Sequence, residues 1–157
     1  SSNLMKKAFS LIEIIFVILI VGLIGSFAIN KIFYSIDKSN ELKIQSEVAL
    51  INEAINRVYS GQILLGNTDF ILERLDDASI NGVNESLFMG YDEYILLDEV
   101  ILSTSLEKKE LGKWIKTSQT SYKVYLTKEK VIEFNFDSSE VLFSCDKNDD
   151  VCNEFML

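Results

Sequence analysis

An uncharged apolar run near the N-terminus limits what this chain can fold into. No charged residue occurs between Ile14 and Ile29, and when the run is extended back to Phe9 it includes one charged residue, Glu13. The extended run contains about 21 residues, close to the ~20 that an α-helix needs to cross the hydrocarbon core of a bilayer. We therefore predict one transmembrane helix over residues 9–30.

The rest of the chain has the composition of a soluble domain. After Asn30 it carries 13 Lys/Arg and 23 Asp/Glu, a net charge of −10. Such a surface repels other polyanions, which argues against general nucleic-acid binding. At 157 residues and 48% hydrophobic content, the chain suits one modest domain in addition to the span.

The helix is predicted to continue beyond the apolar run. Apolar residues recur at the spacing of one helix face, namely Ile44, Val48, Ile51, Ile55 and Val58. Neither proline nor glycine interrupts residues 26–60, and Gly61 is a suitable C-terminal stop. The pattern predicts one helix from Phe9 to Ser60, whose amphipathic continuation occupies residues 31–61.

Residues 62–157 are predicted to form an α+β head. Thr68 or Asp69 is expected to cap a short helix that reaches Ala78. Four segments rich in Val, Ile, Tyr and Phe are predicted as strands of an antiparallel meander: residues 94–103, 122–127, 131–136 and 141–145. Alternation in the later strands gives the sheet one apolar face. The predicted fold is α+β, with a long N-terminal helix packed on a small antiparallel β-sheet head.

Two cysteines bear on the compartment. Cys145 and Cys152 are the only ones, and the chain has no histidine to complete a zinc site. We predict a disulfide between them, with two free thiols as the alternative. Because such a bond persists in the periplasm or outside the cell, it places the C-terminal part beyond the cytoplasmic membrane.

A short motif precedes the apolar run. Two lysines, a small residue, an aromatic residue and a carboxylate follow one another from Lys6 to Glu13. This resembles the processing site of type IV pilins and type II secretion pseudopilins. The resemblance implies that a prepilin peptidase removes residues 1–8 as a basic leader by cutting between Ala8 and Phe9. It also implies that the new amine of Phe9 is methylated. Met5 is interpreted as the natural start, so residues 1–4 are excluded from the fold argument.

The match to this family covers about 25 residues and has two departures. Gly22 stands where a glycine is common in the family. Ala8, however, replaces the usual glycine before the cut, and Asn30 stands where many major pilins have proline. The second departure fits a minor pseudopilin better than a major pilin.

Glu13 is predicted to serve assembly. An acidic residue inside a membrane helix costs about 2.5–3.5 kcal/mol and calls for a partner. The resemblance implies that the partner is the Phe9 amine of a neighbouring subunit. In the alternative, Glu13 lies near the membrane face and reaches water.

By this resemblance the chain is a structural subunit of a type II secretion system, a type IV pilus or a DNA-uptake machine used in transformation (competence). It would be held in the bacterial inner membrane by a single pass, with its head in the periplasm, and would then enter a periplasmic or surface filament. Its expected partners are other pilin or pseudopilin subunits, the prepilin peptidase, an inner-membrane assembly platform and membrane lipid.

Two alternatives remain open at this stage. The head could be a binding module or tip subunit that captures DNA or an exoprotein. The chain could also be a soluble periplasmic protein, because Ser26-Phe27-Ala28 resembles a secretory cleavage site. We predict no enzyme, since there is no histidine for a Ser-His or Cys-His pair and no glycine-rich phosphate loop.

Two further patterns have weaker functional interpretations. Asp146, Asn148 and Asp150 alternate as in the first half of a calcium loop, but neither the following glycine nor the twelfth-position glutamate is present. We therefore predict no cofactor and keep calcium as an alternative. Between Lys108 and Lys130, seven lysines are interleaved with Trp114, Tyr122 and Tyr125. A solvated sheet face is expected there, with DNA contact as the alternative.

Overall fold

The computed structural model describes residues 10–156, without the side chains of Asn30 and of residues 32–37. Two compact units are present, one ending at Lys38 and the other beginning at Ser39. One long helix, α1 (Leu11–Leu64), contributes to both units. The second unit, called the head below, adds small antiparallel sheets and a short C-terminal helix, so the predicted α+β class with a long N-terminal helix is confirmed.

The end of α1 differs from the predicted stop at Gly61. The helix ends at Leu64, and the chain then turns at Gly66, which has a φ of +86°. The Gly66 N–H donates to Ile63 O at 2.9 Å and the Asn67 N–H donates to Gln62 O at 2.8 Å. These two bonds form a Schellman motif, which satisfies carbonyls of the last turn and requires a residue that tolerates positive φ.

The strands form three separate antiparallel sheets. Their bounds are β1 Ser86–Leu87, β2 Gly90–Tyr91, β3 Tyr94–Ile95, β4 Ile101–Leu102, β5 Trp114–Lys116, β6 Ser121–Tyr125, β7 Val131–Asp137 and β8 Leu142–Cys145. β1 pairs with β4, β2 pairs with β3, and β5 to β8 form a four-stranded meander in chain order. The C-terminal helix is α2, Asp150–Met156.

Two sequence predictions in the head are wrong. The predicted helix after Thr68 is absent. Tyrosine hydroxyls accept hydrogen bonds from backbone N–H groups of this segment in place of helix carbonyls. The Leu72 N–H donates to the Tyr59 hydroxyl at 2.8 Å, and the Glu73 N–H donates to the Tyr91 hydroxyl at 3.0 Å. The predicted strand over residues 94–103 is divided between β3 and β4, and the meander begins with β5 instead.

The head core lies between α1 and the meander. The predicted helix stripe is confirmed: Ile44, Val48, Ile51 and Ile55 are buried, and Val58 packs at the edge. The sheet contributes a cluster of aromatic side chains: Trp114, Tyr122, Phe134 and Phe143, joined by Phe88 and Phe155. Alternation along β7 buries Ile132, Phe134 and Phe136 and exposes the residues between them, as predicted.

A side chain of α1 also pairs with the outer strand of the meander. Asn52 Nδ2 donates to Phe143 O at 2.9 Å, and the Phe143 N–H donates to Asn52 Oδ1 at 2.9 Å. β8 pairs with β7 along its other edge. The amide of Asn52 therefore takes the place of a neighbouring strand at this position.

Candidate functional site

The first candidate site is the apolar segment of α1. Leu11–Ile29 has a mean hydropathy of 2.8, and none of this segment is buried against the described part of the chain. Its large apolar side chains, such as Leu11 and Phe27, are exposed. A surface of this size on a water-soluble monomer would be unusual. By length and composition, this helix can cross a membrane.

Glu13 lies in the first turn of this helix and pairs with Ser10. The Ser10 N–H donates to Glu13 Oε2 at 3.1 Å, and the Glu13 N–H donates to Ser10 Oγ at 3.4 Å. This reciprocal pair is a capping box, which satisfies two otherwise unpaired N–H groups at the start of a helix. The Ser-x-x-Glu spacing was visible in the sequence but was not interpreted as a cap. Glu13 thus has a local structural role in addition to its predicted role in assembly.

The structure describes only some of the other residues on which the resemblance rests. Ala8 and Phe9 lie outside the described residues. Gly22 lies within the apolar segment, and a Cβ atom added there would meet nothing within 4 Å. The side chain of Asn30 is not described. The predicted pairing of Glu13 with a neighbouring amine therefore stays a prediction.

The second candidate region is the C-terminal loop. Cys145 and Cys152 form the predicted disulfide, with their Cα atoms 5.9 Å apart. This bond connects the end of β8 to α2. Phe155 of α2 is buried in the head core. The disulfide therefore holds a short helix whose packing completes the core.

The three calcium candidates have different positions in this loop. Asp146 Oδ1 accepts the N–H of Asn148 at 2.9 Å, and Asp150 begins α2. The neighbouring Asp149 accepts the Val151 N–H at 3.2 Å, which makes it the cap of α2. Within residues 10–156, no three His, Cys, Asp or Glu side chains are grouped to hold a metal ion. Calcium binding stays an untested alternative.

The lysine-rich segment does not form one uniform surface. Trp114 and Tyr122 are fully buried, so their rings cannot stack on nucleic-acid bases in this structure. Tyr125 is only partly buried, and Lys109 Nζ lies 5.4 Å from its ring centroid. Lys116 is also buried, although it was predicted on a solvated face. That prediction is wrong for Lys116, because an internal carboxylate balances its charge.

Asp76 is that carboxylate. Lys116 Nζ donates to Asp76 Oδ1 at 2.6 Å, and the Tyr122 hydroxyl donates to Asp76 Oδ2 at 2.7 Å. The Phe88 N–H also donates to Oδ2, at 3.0 Å. Burial, and then the charge of Asp76, raise the pKa of Tyr122 far above its ordinary value. The Asp76 carboxylate thus accepts hydrogen bonds from Lys116, Tyr122 and the Phe88 backbone, which connects β5, β6 and the loop after β1 to the segment before β1 inside the head.

A second polar contact connects α1 with β5. Trp114 Nε1 donates to Glu47 Oε2 at 2.6 Å, and Lys43 Nζ lies 3.6 Å from Glu47 Oε1. Burial raises the pKa of Glu47, although the bond from Trp114 and the charge of Lys43 oppose this shift. The spacing along α1 predicted a polar face here but did not indicate this partner.

Four further carboxylates lie on the segments that connect β2, β3 and β4. Asp92, Glu93, Asp98 and Glu99 are exposed. Among the described residues, the membrane-competent segment with Glu13 is therefore the strongest candidate for function. Comparison of the chain with protein-family models, with curated proteins and with solved structures finds no match.

Proposed function

We propose that this chain is a pilin-like structural subunit, in the manner of a minor pseudopilin, which assembles into a filament through α1. One observation carries the proposal. An apolar segment that the described residues leave uncovered, Leu11–Ile29, continues within the same helix into the stripe that forms the head core. A helix with one part that can span a membrane and another part that forms the core of a domain suits a subunit that is stored in a membrane and then packed against other subunits.

The position of Glu13 supports this proposal. It is the only charged residue from Leu11 to Ile29, and a carboxylate within such a segment costs about 2.5–3.5 kcal/mol in lipid. Its bond to the Ser10 N–H offsets part of that cost but leaves the negative charge. A cation supplied by a neighbouring subunit would balance the charge in the filament. The resemblance in the motif at residues 6–13 identifies this cation as the Phe9 amine.

In this proposal the protein waits in the inner membrane with its head in the periplasm, where the Cys145–Cys152 disulfide is stable. A prepilin peptidase removes residues 1–8, and an assembly platform inserts the subunit into a filament of a secretion, pilus or DNA-uptake machine. The role is structural and involves no reaction catalysed by the head.

N-terminal analysis of the mature protein tests this proposal. We expect the chain in cell membranes to begin at a methylated Phe9. A chain that begins at Ile29 and is found in the soluble fraction would instead establish secretion through an ordinary signal peptide. A methylated chain that cannot be crosslinked to any other copy or pilin-like subunit would contradict the filament role.

A further inference from the structure

The end of α1 in the head carries large apolar side chains that the head leaves uncovered. Leu64 and Leu65 are 87% and 80% exposed, more than any large apolar side chain described in the apolar segment near the N-terminus. Ile63, Ile71 and Ile95 are exposed as well, and we call these five residues the apolar end. Apolar side chains that are exposed together on a domain are typical of an interaction site.

Side-chain contacts hold the segments of the apolar end together. Phe70 contacts Tyr59 of α1 with ring centroids 5.1 Å apart and Tyr94 of β3 with centroids 4.8 Å apart. Arg57 of α1 donates to Leu96 O at 2.6 Å, which also fixes the chain after β3 to the helix. The apolar end is therefore a formed surface, and a partner need not order it before binding.

Exposed carboxylates border the apolar end. The two segments joined by these contacts, residues 57–77 and 91–97, contain six carboxylates, two arginines and no lysine. One of the carboxylates, Asp76, is buried and balanced by Lys116. The other five are exposed, namely Asp69, Glu73, Asp77, Asp92 and Glu93.

The two arginines do not neutralise this border. Arg74 lies over the Tyr91 ring, 4.0 Å from its centroid, and its Nε is 2.7 Å from Asp77 Oδ1. Arg57 is the other cation. Five exposed carboxylates against two arginines leave an excess of three negative charges around the apolar end.

The negative border decides which class of partner can cover the apolar end. DNA and anionic lipid are negatively charged and would be repelled. An apolar patch with a charged border has the anatomy of a protein interface, in which the partner carries the complementary charge. The matching surface is therefore apolar, with an excess of lysine or arginine.

A second copy of the head does not offer this surface at its largest group of lysines. The group forms where Lys43 Nζ donates to Gly112 O at 2.9 Å and the Gly112 N–H donates to Tyr125 O at 2.9 Å. Six lysines and six carboxylates lie on the segments that meet there, so they leave no excess charge. Three of the lysines form ion pairs within the head: Lys43 with Glu47, Lys113 with Glu110, and Lys130 with Glu154.

The remaining three lysines of the head do not supply a basic surface either. Lys116 is buried on Asp76. Lys123 stands opposite Glu133 in the pairing of β6 with β7. Lys147 lies in the C-terminal loop among several aspartates. The complement of the apolar end therefore belongs to a different protein.

We propose that the apolar end binds a segment of a second protein that carries apolar residues and an excess of lysine or arginine. The apolar residues of that segment would be buried against Leu64 and Leu65, and its cations would face the carboxylate border. The inference goes beyond the proposed filament role and does not depend on it, because every residue involved lies in the head.

A photo-crosslinking amino acid at Leu65 of the full chain, in the membranes of the cells that naturally make it, tests the proposal. We expect an adduct with a second protein, which mass spectrometry should map to a segment with apolar residues and more Lys/Arg than Asp/Glu. The same amino acid at Leu142, exposed on β8, is the matched control and should not give this adduct. Adducts with copies of this chain alone, an adduct with a segment that has no basic excess, or no adduct at all would overturn the proposal.

Charge reversal provides the second part of the test. Asp69→Lys with Glu73→Lys should reduce the Leu65 adduct roughly tenfold. Glu133→Lys with Glu140→Lys, at exposed carboxylates outside the border, is the matched control and should leave the adduct unchanged. Thermal unfolding should first establish that both double variants are folded. Equal loss in the two double variants, or no loss in either, would overturn the proposal.

The N-terminal analysis described above distinguishes this inference from the proposed function. A chain that begins at a methylated Phe9 and crosslinks to other pilin-like subunits, but gives no adduct from Leu65, would overturn only the binding surface. A chain that begins at Ile29 and still gives the charge-dependent adduct would overturn only the filament role.

Discussion

Replacing Glu13 with glutamine would separate the charge of this residue from its role at the start of α1. The capping box places the Glu13 side chain on the Ser10 N–H at 3.1 Å and the Ser10 hydroxyl on the Glu13 N–H at 3.4 Å. Glutamine can fill the same position of a capping box. Glu13→Gln therefore keeps the cap and removes the charge, whereas Ser10→Ala removes the hydroxyl acceptor and keeps the charge.

The two variants differ in the expected magnitude of their effects. Loss of a capping side chain costs about 1 kcal/mol, which corresponds to roughly a fivefold change in an equilibrium. If the charge of Glu13 balances a neighbouring amine inside an apolar bundle, its removal should cost about 3–5 kcal/mol. Subunit association should then fall roughly 100- to 3,000-fold. Insertion into the membrane should not suffer, because the neutral side chain is easier to transfer into lipid.

Membrane fractionation and crosslinking in the same cells measure both quantities. The Glu13→Gln protein should accumulate in the membrane and fail to crosslink to other subunits, whereas the Ser10→Ala protein should still crosslink. If Glu13→Gln crosslinks as well as the parent, the charge has no role in assembly. If Ser10→Ala is as defective as Glu13→Gln, the defect belongs to the start of the helix.

Three predictions concern the head and can be measured from the fluorescence of Trp114, the single tryptophan, during thermal unfolding of the full chain in detergent. Cys145→Ser should lower the free energy of unfolding by about 2–3 kcal/mol, because the short ring constrains the unfolded chain; an unchanged melting temperature would refute this. Burial raises the pKa of Glu47, so the folded state binds this proton more tightly than the unfolded chain does. The free energy of unfolding should therefore fall as the pH rises from the ordinary carboxyl pKa toward the raised one. Glu47→Gln keeps an acceptor for the Trp114 N–H and should make the melting temperature less dependent on pH between about pH 4 and pH 7. An unchanged pH dependence would contradict the role given to Glu47. Lys116→Met should cost about 3–5 kcal/mol by leaving the Asp76 carboxylate buried without a counter-charge, and Asp76→Asn in the same chain should recover part of this loss; an equal loss in the double variant would argue against the ion pair.

Periodicity predicted the parts of the fold in which one face is buried. The spacing from Ile44 to Val58 identified the side of α1 that lies on the core, and alternation identified β7. Residues 94–103 are rich in strand-forming types, but tertiary contacts divide them. The Leu96 N–H donates to Met89 O at 3.1 Å and the Leu97 N–H donates to Phe88 O at 3.1 Å, so these residues pair with a neighbouring loop. Such pairing is nonlocal and leaves no signal in the segment itself.

Features of the candidate site that are local in the sequence could be predicted, whereas contacts between residues far apart in the chain could not. The apolar run and Glu13 are local features, and both were identified. The capping box was equally local, since Ser10 and Glu13 stand at its usual spacing, but it was missed. Burial of Lys116 could not be predicted, because Asp76 is 40 residues away and only the folded head brings the pair together. A lysine in a charged segment otherwise predicts a solvated position.

The amide of Asn52 has a consequence if copies of this protein are held close together in a filament, as proposed. A free outer strand is a template on which a second chain can add its own strand, and crowded copies would be exposed to irregular aggregation of this kind. At Phe143 the backbone N–H and C=O of β8 are already bound by Asn52. A helix side chain thus opposes the addition of a foreign strand at this position of β8.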